Sequence, residues 1–155
     1  TGPPFDEKNC LPLSKQIQEF QGKKILCGRT TAHIIAREWG TQIGLDMNMT
    51  DRELPPVSKM QGVDLITEGI LTLSKIERIL TKNEHETIKG NGPAELMIRH
   101  LIDSDKITFV VGTKINVAHQ DPNLPVELEI RRNVVKKIKY LLETKYLKDV
   151  EIKYI

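Results

Sequence analysis

The chain has 155 residues, 39% hydrophobic and 28% charged, with a formal net charge of +2. That length suits one domain burying roughly two-thirds of the surface its unfolded chain exposes, without disulfide or metal staples. So small a net charge leaves no footprint for nucleic acid, and no apolar run approaches the roughly 20 residues of a membrane-spanning helix.

A bridge between the two cysteines, Cys10 and Cys27, would have to tie an N-terminal arm to an apolar run. Both are therefore expected as reduced thiols, which places the chain in the cytoplasm. No charged-then-apolar leader of secretory type is present. A start at Thr1-Gly2-Pro3-Pro4 rather than at methionine has the look of a piece of a longer protein.

Residues 1–13, rich in Pro, Gly and charge, read as a linker or arm, leaving 14–155 as a single domain. Lys23–Cys27 reads as a strand closed by Gly28, after which Thr30 or Thr31 can cap a helix whose Ile34, Ile35 and Trp39 face a core and which Gly40 ends. Gln42–Asp46 reads as a second strand, completing a β-α-β unit with a right-handed crossover. Met47–Gln61 is polar, with Pro55-Pro56 in its middle, and reads as a long loop.

Val63–Ile66 is the next strand, and the helix after Gly69 carries Ile70, Leu73, Ile76, Ile79 and Leu80 at spacings of three and four. A polar break over Lys82–Gly92 precedes a helix from Pro93 to near Asp103, carrying Leu96, Met97, Leu101 and Ile102. The strand Ile107–Val111 follows. A long helix over Val126–Leu147 presents Ile130, Val134, Ile138, Leu141 and Leu142. Val150–Ile155 alternates apolar and charged residues, the pattern of a strand exposed on one face, and is placed at an edge. The order β-α-β-β-α-α-β-α-β predicts an α/β fold, a three-layer α/β/α sandwich. Its sheet is expected to be Rossmann-like and mostly parallel, with about five strands and the C-terminal strand a candidate antiparallel edge.

Three of these runs break into polar clusters that parallel strands would bring to one sheet edge, where open α/β folds bind ligands. In the first, Gly28-Arg29-Thr30-Thr31, glycine lets backbone approach a ligand. The helix start offers free N–H groups, and Arg29, Thr30 and Thr31 add side-chain donors for phosphate or carboxylate. A glycine turn with threonine capping explains the same residues without a ligand. Neither G-x-x-x-x-G-K-[ST] nor G-x-G-x-x-G is present, so the P-loop and dinucleotide fingerprints are unsupported, and Asp46 is better read as a cap than as a ribose ligand.

In the second cluster, Thr67-Glu68-Gly69, Glu68 suits a hydroxyl, a cation or a helix cap. The third runs from Gly112 and Thr113 through Asn116, His119, Asp121 and Asn123. There His119 and Asp121 form an acid-base candidate, and Asp121-Pro122-Asn123 a turn that caps the long helix. No close pair of His or Cys ligands marks a metal site, and Cys27 in its apolar run reads as buried and inert. Arg131, Arg132, Lys136, Lys137 and Lys139 give the long helix a basic face suited to phosphates or acidic partners, although most such runs are merely solvated.

Taken together, Thr1–Pro4, Gly22–Ala32, Gly62–Ile70 and Phe109–Pro125 with its Ala118-His119-Gln120-Asp121-Pro122-Asn123-Leu124-Pro125 resemble the region following the phosphatase domain in bacterial stage II sporulation protein E family serine/threonine phosphatases. The resemblance covers nearly the whole chain. It implies that Thr1–Pro4 is the last strand exit of that phosphatase domain. The chain departs from the family pattern by carrying Arg29 where the family has a second glycine, which favours a side-chain contact over a pure backbone cradle.

Phosphatases of this family use manganese or magnesium held by aspartates of D-G and G-x-x-D type to activate water. Those motifs are absent here, and Asp64, Asp103 and Asp105 are not in such a setting, so no catalytic residue and no cofactor are assigned to this chain. The resemblance implies a non-catalytic accessory or regulatory domain that binds a small anionic ligand or nucleotide at the strand ends. Its partners would be its own phosphatase domain and, for the parent protein, a phosphoprotein substrate. A dimerisation or docking module, including a homodimer, is the alternative. An independent enzyme acting on a phosphorylated metabolite comes third, since no nucleophile and base are paired.

Overall fold

The computed structural model describes residues 1–46, 51, 53–82, 88, 90–114 and 127–155. Helix α1 (Cys10–Glu19) buries Cys10, Leu13 and Ser14 and half-buries Ile17, an i, i+3, i+4, i+7 stripe. Strand β1 (Ile25–Cys27) leads into α2 (Arg29–Trp39), which Gly40 ends in a left-handed conformation, φ 63°. Strands β2 (Gly44–Leu45), β3 (Ser58–Met60) and β4 (Val63–Thr67) come before α3 (Ile70–Lys82) and α4 (Pro93–Ile102), the latter with its proline in the first turn. Strand β5 (Lys106–Val111), helix α5 (Glu127–Tyr146) and strand β6 (Asp149–Tyr154) complete the chain.

The protein is a mixed α/β fold with its strands in two sheets. In the larger, ordered β1-β4-β3-β2, β1 runs parallel to β4 from Ile25↔Leu65 to Cys27↔Thr67, whereas β3 is antiparallel to both β4 and β2. In the smaller, β5 and β6 are parallel from Lys106↔Asp149 to Val111↔Tyr154. Strand alternation sends Leu26, Met60 and Ile66 to one side, against Leu13 of α1 and Ala32, Ile35 and Ala36 of α2. It sends Cys27, Leu65, Ile107, Phe109 and Val111 to the other, against α3, α4 and α5. Helices thus cover both faces.

Several expectations are corrected. The sheet is not one mostly parallel array of about five strands but a mixed four-stranded sheet and a parallel pair. Gln42–Asp46 does not return beside β1. Gly44 and Leu45 are both exposed and only Ile43 packs on the core, so this segment sits at the far edge, held by Asp46 N donating to Val57 O (3.0 Å) and by the Lys59–Asp46 ion pair (2.7 Å).

The expected loop over 47–61 contains β3, which turns into β4 through Gly62, φ 82°, and buries Met60. Strand β6 is parallel to β5, not antiparallel, because the 20-residue α5 carries the chain back to the start of β5. Residues 1–13 are not an arm without structure. Thr1 pairs with the end of β5, Pro3 O accepts from Lys114 N, Phe5 N donates to Ile155 O, a 3-10 turn spans Glu7–Asn9, and α1 follows with Leu13 buried. Cys10 and Cys27 are both buried free thiols.

Candidate functional site at the strand ends

Gly28 occupies the N-cap position of α2 with φ 128° and ψ 125°, a backbone conformation that side chains disfavour. Its N–H donates to Thr67 O (2.9 Å) and its C=O accepts from Ala32 N (3.0 Å), which locks the end of β1 to the end of β4. Neither Thr30 nor Thr31 caps the helix, correcting that expectation. The cap is glycine, with no side-chain hydrogen bond, so the first-turn N–H groups of α2 receive no intramolecular cap. Thr31 lies two positions into the helix. The residue is 4% exposed, and its hydroxyl has no hydrogen-bond partner among the described residues.

The end of β4 meets this loop closely: a Cβ built on Gly69 would lie 3.7 Å from Gly28 Cα. The Glu68 carboxylate folds back to accept from Gly69 N at the start of α3, so this helix start, unlike that of α2, holds an anion of its own. Cys27 Sγ donates to Glu68 O (3.1 Å), and burial pushes the thiol above its ordinary range, keeping it protonated and unreactive.

From the third strand end, Gly112 O accepts from Arg131 Nη1 of α5 (2.9 Å) and Gly112 N donates to Thr1 O (2.8 Å). A side chain at Gly112 would run into the carbonyls of Gly2 and Pro3. One at Gly2, φ 75°, would meet Arg131 Nη1 at 2.5 Å.

These segments enclose a cleft of about 190 Å³ lined by Thr1, Gly2, Pro3, Cys27, Gly28, Arg29, Thr30, Thr31, Glu68, Gly69, Ile70, Leu71 and Arg131. Six residues anticipated from the sequence therefore line one cleft: Gly28, Arg29, Thr30, Thr31, Glu68 and Gly69. Thr67, Gly112 and Thr113 form its framework instead. The Thr67 hydroxyl donates to Glu68 O (2.9 Å) and that of Thr113 to Ile155 O (2.7 Å), so both are committed to backbone. Asn116, His119, Asp121 and Asn123 lie outside the described residues.

Arg131, read from the sequence as part of a basic face, and Thr1–Pro3, read as a linker, were not expected at this cleft. Arg131, only 6% exposed, shares one stripe of α5 with Val135, Ile138 and Leu142, and an arginine at an apolar position was the available signal. The rest of the basic run is divided. Arg132 stacks over Tyr154 (5.2 Å to the ring centroid), Lys139 bonds Glu143 and Val150 O, and Lys137 lies 3.9 Å from Glu77.

Among the described residues no group of three or more His, Cys, Asp or Glu side chains could hold a metal ion, and no helix is long and apolar enough to cross a membrane. The chain matches no protein-family model, no curated protein and no solved structure. The chemistry of the cleft must therefore be read from its own donors. It presents uncapped N–H groups and the donor side chains of Arg29, Thr30 and Thr31, beside one carboxylate, Glu68, that accepts from Gly69 N.

Proposed function

We propose that this protein is a non-catalytic ligand-binding domain that takes a small anionic ligand, a phosphate ester or nucleotide, in the cleft at the ends of β1 and β4. One observation carries the reading: the Thr31 hydroxyl is buried without a partner among the described residues, beside a helix start that has no side-chain cap. Leaving a buried hydroxyl unsatisfied costs about 1–3 kcal/mol, a cost that a bound acceptor offsets. Arg29 sits at the rim of the same cleft, exposed, where it can close over a bound oxyanion. The Glu68 carboxylate lines the same cleft and accepts from Gly69 N, so the ligand's anionic group is placed on the α2 side, by Arg29, Thr30 and Thr31.

The resemblance to the region after the catalytic domain of stage II sporulation protein E family phosphatases extends the proposal. The ligand-bound state would regulate an attached metal-dependent serine/threonine phosphatase, whose manganese or magnesium belongs to that domain and not to this one. Isothermal titration with inorganic phosphate, nucleoside mono-, di- and triphosphates and sugar phosphates tests the reading. Binding by one of them that Arg29→Ala weakens at least tenfold supports it. Heat-silent titrations across the panel, with dimerisation of the domain instead, would favour the docking alternative.

A further inference from the structure

The two sheets do not join. Strands β1 and β5 are the facing edges, and between them lies a cleft of about 430 Å³ bounded by Ile25–Cys27 on one side and Lys106–Val110 on the other. Leu13 and Ile17 of α1 lie on one face and Met97 and Leu101 of α4 on the other. Both edges carry unused backbone groups. Lys24 O and Gly28 N bond to β4, so by the alternation of a parallel ladder the polar groups of Ile25 and Cys27 point into the cleft. Asp105 O and Val111 O accept from Asp149 N and Ile155 N of the β6 side, so those of Thr108 and Val110 point into it as well. Unpaired edges between two helical layers are costly, since water reaches them poorly there.

One end of the cleft is already filled. Thr1 N donates to Val110 O (2.7 Å) and Gly112 N donates to Thr1 O (2.8 Å), the hydrogen-bond pattern of a parallel strand whose residue Thr1 stands opposite Val111. Gly2, φ 75°, then turns the chain away across the ends of the strands into Pro3 and Pro4. Gly28 and Gly112, at the C-terminal ends of β1 and β5, lie at this same end, so both edges run in the direction that Thr1 continues.

We propose that the cleft is a strand slot, filled by the extended polypeptide that leads into Thr1 from its N-terminal side. In that register the residue two before Thr1 receives Val110 N–H and donates to Thr108 O, the residue four before pairs with Thr108 N–H, and the intervening residues pair with β1. The sheet becomes continuous in the order β2-β3-β4-β1-slot strand-β5-β6. Apolar layers on both faces call for a segment apolar on both sides, as in a central parallel strand. The slot strand ends at the ligand cleft and sets Thr1–Pro3 there, whatever ligand that cleft takes.

The test compares the 155-residue chain with two forms extended at Thr1, one by six alternating Val and Ile residues and one by six Gly and Ser residues, in thermal unfolding and amide exchange. The apolar extension is expected to raise the melting midpoint by about 5 °C or more, slow exchange at Ile25, Cys27, Thr108 and Val110, and give NOEs between the extension and both β1 and β5. The Gly/Ser form should do none of these. Equal behaviour of the two extensions, protection seen only in a dimer, or filling of the slot by a free Val/Ile peptide in preference to the tethered segment would each overturn the proposal.

Discussion

Replacing Thr31 with valine keeps the side-chain shape and the β-branch while deleting the hydroxyl. In most buried positions such a change removes a hydrogen bond and destabilises. Here the hydroxyl has no partner, and the desolvation cost of about 1–3 kcal/mol that it imposes disappears with it. Helix propensity is nearly the same for the two residues, so the ligand-free protein is expected to gain about 1 kcal/mol, or roughly 2–4 °C in melting midpoint. Binding should respond in the opposite sense. Loss of a hydrogen bond to a charged acceptor, about 1.5–3 kcal/mol, weakens affinity by roughly tenfold to a hundredfold.

Thr72, also fully buried with an unpartnered hydroxyl but outside the cleft, is the control: Thr72→Val should stabilise and leave binding unchanged. Urea unfolding of both variants, with phosphate titrations, measures the two effects. Destabilisation of ligand-free Thr31→Val by more than about 1 kcal/mol would refute the reasoning, because it would mean the hydroxyl is already bonded in the free protein.

The remaining predictions concern a buried ion-pair cluster and the packing behind the cleft. Lys75 Nζ lies 2.7 Å from Asp51 Oδ2 and 3.4 Å from Glu95 Oε1, with all three side chains under 15% exposed. Lys75→Met should therefore cost about 3–5 kcal/mol in urea unfolding, and Asp51→Asn in that background should recover part of it. For Asp51, burial acts to raise the carboxyl pKa, but the hydrogen bond from Lys75, the N–H groups of Glu53 and Leu54 and the Lys75 charge hold it below its ordinary value. Its contribution is thus full above the usual carboxylate range and is lost as pH falls below that range, an acid limb that Asp51→Asn should flatten. The Cys27 thiol, pushed up by burial, should resist alkylation in the native state at pH 8. The stability it carries is full below about pH 9 and lost as pH rises further, and Cys27→Ser should shrink that loss. Gly112→Ala forces Gly2 and Pro3 off β5. Losing the bonds at Thr1 and Lys114 should destabilise by about 2–3 kcal/mol and speed exchange at Gly112 and Lys114, seen by NMR.

Helices α2 to α5 were legible because each carries apolar residues at spacings of three and four over ten residues or more, with glycine or proline at a boundary. Helix α1 was not. Its stripe of Cys10, Leu13, Ser14 and Ile17 is weakly apolar and Pro12 stands in its first turn, so composition pointed to a linker. Strand direction and order were not legible either. Alternation in Val150–Ile155 records which face is wet but not which way its neighbour runs, and the exposed pair Gly44-Leu45 carries no face at all.

The glycine-and-threonine end of β1 was visible as a local pattern, and the Thr67–Gly69 end of β4 joins it through the parallel pairing of those strands. What local pattern could not supply was Arg131, some 100 residues from Gly28, or Thr1–Pro3 closing the same cleft. Those depend on which strand edges the tertiary fold leaves open.

The claim that the ends of β1 and β4 form an anion site is tested most directly by an amide-resolved NMR titration of the protein with inorganic phosphate and with a nucleotide. The account predicts saturable shifts centred on the N–H groups of Arg29, Thr30 and Thr31, with the affinity they report weakened at least tenfold in Arg29→Ala and in Thr31→Val. Saturable shifts centred elsewhere, or shifts at these amides that both substitutions leave intact, would contradict it.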